Sequence, residues 1–171
     1  MNPKIFEDLP DDERAQTISI YAPLLLNVIN HLRNVPLNQK KIAEHAAKKI
    51  INLALWSVTE ITNTVDDKYL NQRYISEGTF DLWNSLQINA GAKKADYTKG
   101  LRHEHVIPRL DLYKRLISAT SAAQIITILN TSIACVVTDV EDKKLSRGGS
   151  GWSRYHSAGI KVFDRKKQIW I

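Results

Sequence analysis

Apolar residues recur at helical spacing through the first third of the chain. The segment from Pro10 to Asn34 predicts one helix, since its apolar residues repeat every three or four positions. These positions are Ile18, Tyr21, Leu25, Val28, Ile29 and Leu32. Pro36 then interrupts the pattern, and Asn38 can cap a second helix that extends to about Thr64. One face of that helix carries Ile42, Ala46, Ile50, Leu53, Ala54, Ser57 and Ile61. Two helices joined by so short a turn predict an antiparallel hairpin.

The remaining chain alternates short helical patterns with short apolar runs. A third helix is expected from Thr79 to Leu86, introduced by Ser76 or Gly78, with Phe80 and Trp83 directed inward. The later predicted elements are a strand Leu101 to Ile107, a helix starting at Pro108, a helix Ser121 to Leu129, a strand Ile133 to Thr138, a helix from Thr138 or Asp139 to the turn Gly148 to Gly151, a helical turn Trp152 to Ala158, and strands Ile160 to Phe163 and Gln168 to Ile171. The expected fold class is therefore α+β, with a helical hairpin first and a small β element last.

Length and composition favour one soluble domain. A chain of 171 residues can bury a core without disulfides or a structural metal, and one compact domain overall is expected. Cys135 is its single cysteine, which excludes an internal disulfide and favours a reducing, cytoplasmic setting. Acidic residues near Met1 argue against a signal peptide. The uncharged stretch Leu116 to Thr138 is long enough to cross a bilayer, but its many polar residues favour a buried helix and strand, so no membrane partner is expected.

The charge of the chain is unevenly distributed along the sequence. The formal net charge is +6. Residues 1–89 contain 9 Lys and Arg against 11 Asp and Glu, a net of −2, whereas residues 90–171 contain 15 against 7, a net of +8. We accordingly distinguish a helical subregion, 1–88, from a basic α+β subregion, 89–171. A localised basic excess is typical of polyanion binding, because cations near phosphates release condensed counterions, and DNA is the expected partner. A merely solvated basic surface is the alternative.

Candidate chemistry is concentrated between Arg102 and Arg109, where two histidines and a carboxylate adjoin the predicted strand end. Strand alternation puts His103 and His105 on one face and Glu104 on the other. Their joint use requires the chain to turn, which Pro108 favours.

The order Glu104-His105-Val106-Ile107-Pro108 resembles the first motif of the HNH, or His-Me finger, nucleases. The resemblance covers about residues 100–146 and implies a ββα-metal-like region with inserted helices. It implies that His105 is the general base activating water, and that Glu104, with Asp142 or Glu141 from the following helix, holds a divalent cation, Mg²⁺ or Mn²⁺. His103 is an additional candidate. The expected nucleic-acid contacts are Arg102, Arg109, Lys114, Arg154 and Lys161.

Structural roles compete with each of these interpretations. His105 can be a buried histidine bonded to Glu104 or to a carbonyl, and His103 with His105 can form a two-histidine metal pair. Cys135 lies in an apolar strand and is expected to be a buried, unreactive side chain. Arg154 beside Trp152 and Tyr155 offers a cation and stacking surface, or the two rings dock on the core.

Three functions remain: a metal-dependent DNA endonuclease, a nucleic-acid-binding protein without catalysis, and an interaction or inhibitor protein that presents its helices. The N-terminal helices are also candidates for a homodimer contact.

Overall fold

The chain folds into two compact units that do not follow the sequence halves. The computed structural model describes residues 14–60, 67–89, 91–145 and 149–171. Of these, 14–59 and 107–133 form a helical unit, and the others form a sheet unit. The subregion boundary expected at residues 88 and 89 therefore falls inside the sheet unit. The predicted helix start at Pro10 to Glu13, the helix end at Ile61 to Thr64, and Gly148 lie outside the described residues.

The α+β class is confirmed by the elements found. The described residues form helices α1 (Arg14–Asn34), α2 (Lys40–Thr59), α3 (Asp67–Leu70), α4 (Glu77–Ile88), α5 (Arg109–Ser118), α6 (Ala122–Asn130), α7 (Asp139–Lys144) and α8 (Trp152–Ser157), and strands β1 (Tyr74–Ser76), β2 (Leu101–His105), β3 (Ala134–Thr138), β4 (Val162–Asp164) and β5 (Ile169–Trp170). Short 3-10 turns occur at Leu37–Gln39 and Lys94–Tyr97. Every predicted element in the described range is present, with ends shifted by a few residues. Strand β1 and helix α3 were not predicted.

The helical unit packs α1 and α2 with α5 and α6 around one apolar core. On α1 the buried stripe is Ile18, Ala22, Leu25, Ile29 and Leu32, close to the predicted face. Two arginines of α1 bond to the C-terminal ends of α5 and α6. Arg14 donates hydrogen bonds to the carbonyls of Leu129, Asn130 and Ser132 at the end of α6, and Arg33 donates to those of Ile117 and Ala119 at the end of α5. Cations placed there satisfy carbonyls that lack helical partners and complement the helix dipole.

The buried face of α2 differs from the predicted one. The core takes Ala47, Ile51, Ala54, Leu55 and Val58, whereas Ile42 and Leu53 are 75% and 60% exposed. Both stripes are apolar at helical spacing, so periodicity alone does not choose between them. The homodimer contact expected through the N-terminal helices stays a prediction. Within the described residues, no helix combines the length and apolarity needed to cross a bilayer.

The sheet unit is built on a mixed sheet with strand order β2-β3-β1-β4-β5. Strand β1 lies at its centre, parallel to β3 and antiparallel to β4. Helix α4 covers one face with the fully buried Trp83, whose indole N–H donates to the Tyr97 carbonyl at 2.8 Å. The core of this unit contains Leu70, Ile75, Trp83, Tyr97, Leu101, Val136 and Phe163. The predicted inward position of Trp83 is confirmed, and Phe80 packs half-buried beside it.

Candidate functional site

The two histidines of β2 share one face of the sheet. Antiparallel pairing sets His103 opposite Val136 and Glu104 opposite Cys135, so strand alternation directs Glu104 away from both histidines. The histidine rings meet edge to face with their centroids 5.6 Å apart. Their residues are only 9% and 4% exposed. The shared face of the histidines is as predicted, but β2 ends at His105 without turning Glu104 toward them.

Glu104 is engaged by an arginine from α8. Its Oε1 accepts a charge-assisted hydrogen bond from Nη2 of Arg154 at 2.6 Å, and Nη1 of the same guanidinium donates to the His105 carbonyl at 3.3 Å. Arg154 is 6% exposed. The neighbouring rings of Trp152 and Tyr155 pack edge to face, and Tyr155 is fully buried. Arg154 therefore bonds α8 to β2, and its expected role as a nucleic-acid contact stays a prediction.

The carboxylate of Glu141 joins the starts of two helices. Its Oε2 accepts hydrogen bonds from the hydroxyl of Ser76 and from the amide and hydroxyl of Thr138, and its Oε1 accepts one from the Gly78 amide at 3.0 Å. Thr138 and Glu141 form a capping box at α7, while Ser76 caps α4. Both oxygens of Glu141 thus satisfy helix N-terminal donors.

The proposed ligand set does not fit one metal ion. Glu104 is bound to Arg154, Glu141 is bound to helix termini, and only Asp142 is left half-exposed on α7. In the part of the chain that the structure describes, no three His, Cys, Asp or Glu side chains are grouped to hold a cation. A divalent cation needs converging oxygen or nitrogen ligands. We therefore derive no chemical step through a metal at these residues.

Cys135 has the character of a structural thiol, as expected. It is fully buried in β3. Burial raises its pKa well above the ordinary value, and the carboxylates of Glu141 and Glu104 raise the pKa further. The thiolate needed for nucleophilic attack is thus disfavoured.

All three predicted nucleic-acid contacts in the sheet unit, Arg102, Arg154 and Lys161, lie against carboxylates of their own unit. Arg102 pairs with Asp139, and the Lys161 ammonium lies 2.8 Å from Glu77, as Arg154 pairs with Glu104. The remaining two, Arg109 and Lys114, belong to the helical unit and are exposed. The Arg109 guanidinium stacks over the Trp56 ring at 4.8 Å.

The positive charge is more concentrated in the helical unit than in the sheet unit. Among its described residues, the helical unit carries nine cations against two carboxylates, a difference of +7. The cations are Arg14, Arg33, Lys40, Lys41, Lys48, Lys49, Arg109, Lys114 and Arg115, and the carboxylates are Glu44 and Asp111. Asp12 and Glu13, which precede α1, still leave a difference of +5. The described residues of the sheet unit carry 13 cations against 10 carboxylates, a difference of +3.

A groove in the helical unit adjoins this charge. It has a volume of about 760 Å³ and is lined by Ile29, Leu32, Arg33, Lys40, Lys41, Ile42, Glu44, His45, Lys48, Tyr113 and Ile117. Lys41, His45 and Lys48 are exposed and recur along α2 at a spacing of four and three residues, so they share one helix face. That spacing is visible in the sequence and could have indicated this surface.

No protein-family model matches this chain, and neither the curated proteins nor the solved structures contain a significant match to it.

Proposed function

We propose that the protein binds nucleic acid through its helical unit. The observation that carries the proposal is the excess of nine cations over two carboxylates among the described residues of that unit. A cation placed against a phosphate releases condensed counterions, which supplies affinity without sequence readout. The exposed side chains of Lys41, Lys48, Lys49, Lys114 and Arg115 are suited to this contact.

The arrangement of cations in the sheet unit also favours the helical unit as the site of nucleic-acid binding. Arg154 and Arg165 are buried, and Arg165 donates to the carbonyls of Leu70 and Gln72. Burial lowers the pKa of Arg165 to about 10, which leaves the guanidinium charged at neutral pH. Arg102 and Lys161 are held by carboxylates. These four cations of the sheet unit are therefore engaged within it, and the ten carboxylates among its described residues offset most of its positive charge.

The test is a titration of labelled DNA at ionic strengths from about 50 to about 200 mM. K41A/K48A removes two cations from the helical unit, and the matched control K166A/K167A removes two exposed cations from the turn before β5. We expect the slope of log affinity against log salt to flatten by about 2 for K41A/K48A and to change little for the control. Equal effects of both variants, or no DNA binding by the wild type, would refute the proposal.

A second candidate function is phosphodiester hydrolysis with His105 as general base. The order of elements favours it: β2 ends at His105, β2 and β3 are antiparallel, and α7 follows β3 directly. This is the order implied by the resemblance to His-Me finger nucleases, with α5 and α6 inserted. Supercoiled plasmid is incubated with Mg²⁺ or Mn²⁺ and with the wild type, His105→Ala, or the control His156→Ala on the exposed side of α8. Nicking lost only in His105→Ala supports catalysis, whereas retarded but intact plasmid leaves binding alone.

A further inference from the structure

The groove between α1, α2 and α5 combines a cationic rim with an apolar floor. Leu32 is 6% exposed and Ile29 fully buried at its base, and the half-buried Tyr113 and Ile117 of α5 line it as well. Lys41, His45 and Lys48 stand along the rim on α2. In duplex DNA the phosphates face outward and the bases are stacked inside, so the bases cannot pack against the apolar floor of the groove. A single strand exposes bases that bury apolar faces beside its phosphates.

We propose that this groove receives the unstacked bases of a single-stranded nucleic acid, with the flanking phosphates on Lys41 and Lys48. The proposal rests on the function proposed above and specifies its substrate class. Lys41 and Lys48 are two helical turns apart, about 10 Å along α2, a span that reaches more than one phosphate of an extended strand. The volume of about 760 Å³ lies in the range that encloses small organic groups.

Two other cations that line the groove, Arg33 and Lys40, are bonded to backbone carbonyls. Arg33 donates to the carbonyls of Ile117 and Ala119, and Lys40 donates to the Leu32 carbonyl. They hold the wall together, whereas Lys41, His45 and Lys48 project at the surface.

An aromatic residue in the groove, Tyr113, and a second one farther along α2, Trp56, strengthen the assignment. Tyr113 lines the groove, and its phenol is neutral at physiological pH like that of any tyrosine; burial and the nearby Glu44 carboxylate raise its pKa further. Farther along α2, Arg109 stacks on Trp56, and Trp56 lies on the same side of the helix as His45 by its spacing of eleven residues. Rings and guanidinium groups are the surfaces on which exposed bases stack.

The experiment separates base binding from charge. Fluorescence anisotropy compares three labelled ligands of nearly equal phosphate number: an oligothymidine of about 24 nucleotides, a strand of the same length without bases, and a duplex of about 12 base pairs. We expect the oligothymidine to bind at least about tenfold tighter than the abasic strand. Equal affinity for the two strands, or tighter binding of the duplex, would overturn the groove assignment while leaving nucleic-acid binding intact. No binding of any ligand would refute the proposed function itself.

A matched pair of variants places the bases in the groove. Ile42→Glu puts a carboxylate on the groove wall, and Leu37→Glu puts the same charge on an exposed apolar position in the turn before α2; these residues are 75% and 91% exposed, so both variants should fold. We expect Ile42→Glu to weaken oligothymidine binding by about tenfold more than Leu37→Glu, and we expect only Ile42→Glu to lower the ratio of oligothymidine affinity to abasic-strand affinity. Indistinguishable effects of the two variants on the oligothymidine would show that bases lie elsewhere.

Discussion

The amide of Gly78 donates a 3.0 Å hydrogen bond to Oε1 of Glu141, and a Cβ built on Gly78 would lie 2.8 Å from Oε2 of the same carboxylate. A glycine near the start of a helix is normally a stability loss relative to alanine. Here the close approach of a buried carboxylate requires it. The start of α4 and the start of α7 are thus joined through one side chain.

Gly78→Ala is therefore expected to destabilise the protein, by about 1–3 kcal/mol, because the added methyl group forces the Glu141 carboxylate off its donors. Urea unfolding followed by circular dichroism measures the change. Gly91→Ala serves as the control, since its added Cβ would meet only the Asn89 side chain, at 3.4 Å. If Gly78→Ala stabilised the protein instead, the Glu141 carboxylate would have to move without losing its hydrogen bonds, and the prediction would be wrong.

Replacing the carboxylate itself gives a second prediction. Glu141→Gln removes the charge that four donors share and is expected to cost about 2–4 kcal/mol. In a Glu141→Ala background, Gly78→Ala should become neutral or stabilising, because nothing then occupies the space beside it. Both are measured by urea unfolding without added metal. An apo protein made more stable by Glu141→Gln would favour the metal-ligand role expected from the sequence over the capping role.

The pH dependence of stability is expected to report Asp164. Burial alone would raise the pKa of this carboxyl, but hydrogen bonds from Arg73 and from the amides of Lys167 and Lys166 outweigh burial and lower the pKa. Its contribution is thus fully present above the unfolded pKa of about 3.9 and is lost as the pH falls through the lower native pKa.

The measurement compares the unfolding free energies of the wild type and Asp164→Asn across pH. Their difference should be constant above about pH 5 and should shrink below about pH 4. Arg73→Gln should move that loss to higher pH, because the main hydrogen-bond donor is gone. Parallel curves for the wild type and Asp164→Asn down to about pH 3 would contradict the lowered pKa.

Local pattern predicted most elements, whereas nonlocal partners decided the rest. The helices α1, α5 and α6 and the strand β3 follow from periodicity and end signals that lie within each segment. Strand β1 has only three residues, too few to show alternation, and it became a strand because β3 and β4 flank it. Helices α1 and α6 belong to one unit because of contacts such as that of Arg14 with Leu129, which are 115 residues apart in the sequence.

The candidate site divides in the same way. The common face of His103 and His105 follows from the period of a strand and is predictable. The partner of Glu104 is Arg154, fifty positions along the chain, and the partner of Glu141 is the start of α4. No local pattern marks these two long-range contacts, although the capping box of Thr138 and Glu141 is a local one. The metal-ligand role of these carboxylates stays a prediction.

The Arg154–Glu104 pair gives the last prediction. The side chains are 5% and 27% exposed, and removing one partner of a buried pair leaves the other charge uncompensated. Arg154→Met is thus expected to cost about 3–5 kcal/mol, and Glu104→Gln less. The double variant should cost clearly less than the sum, a coupling that urea unfolding of all four proteins measures. The exposed pair Lys161–Glu77, changed in the same way, should show much weaker coupling. Additive costs for Arg154→Met and Glu104→Gln would mean that Arg154 stabilises β2 through its bond to the His105 carbonyl alone.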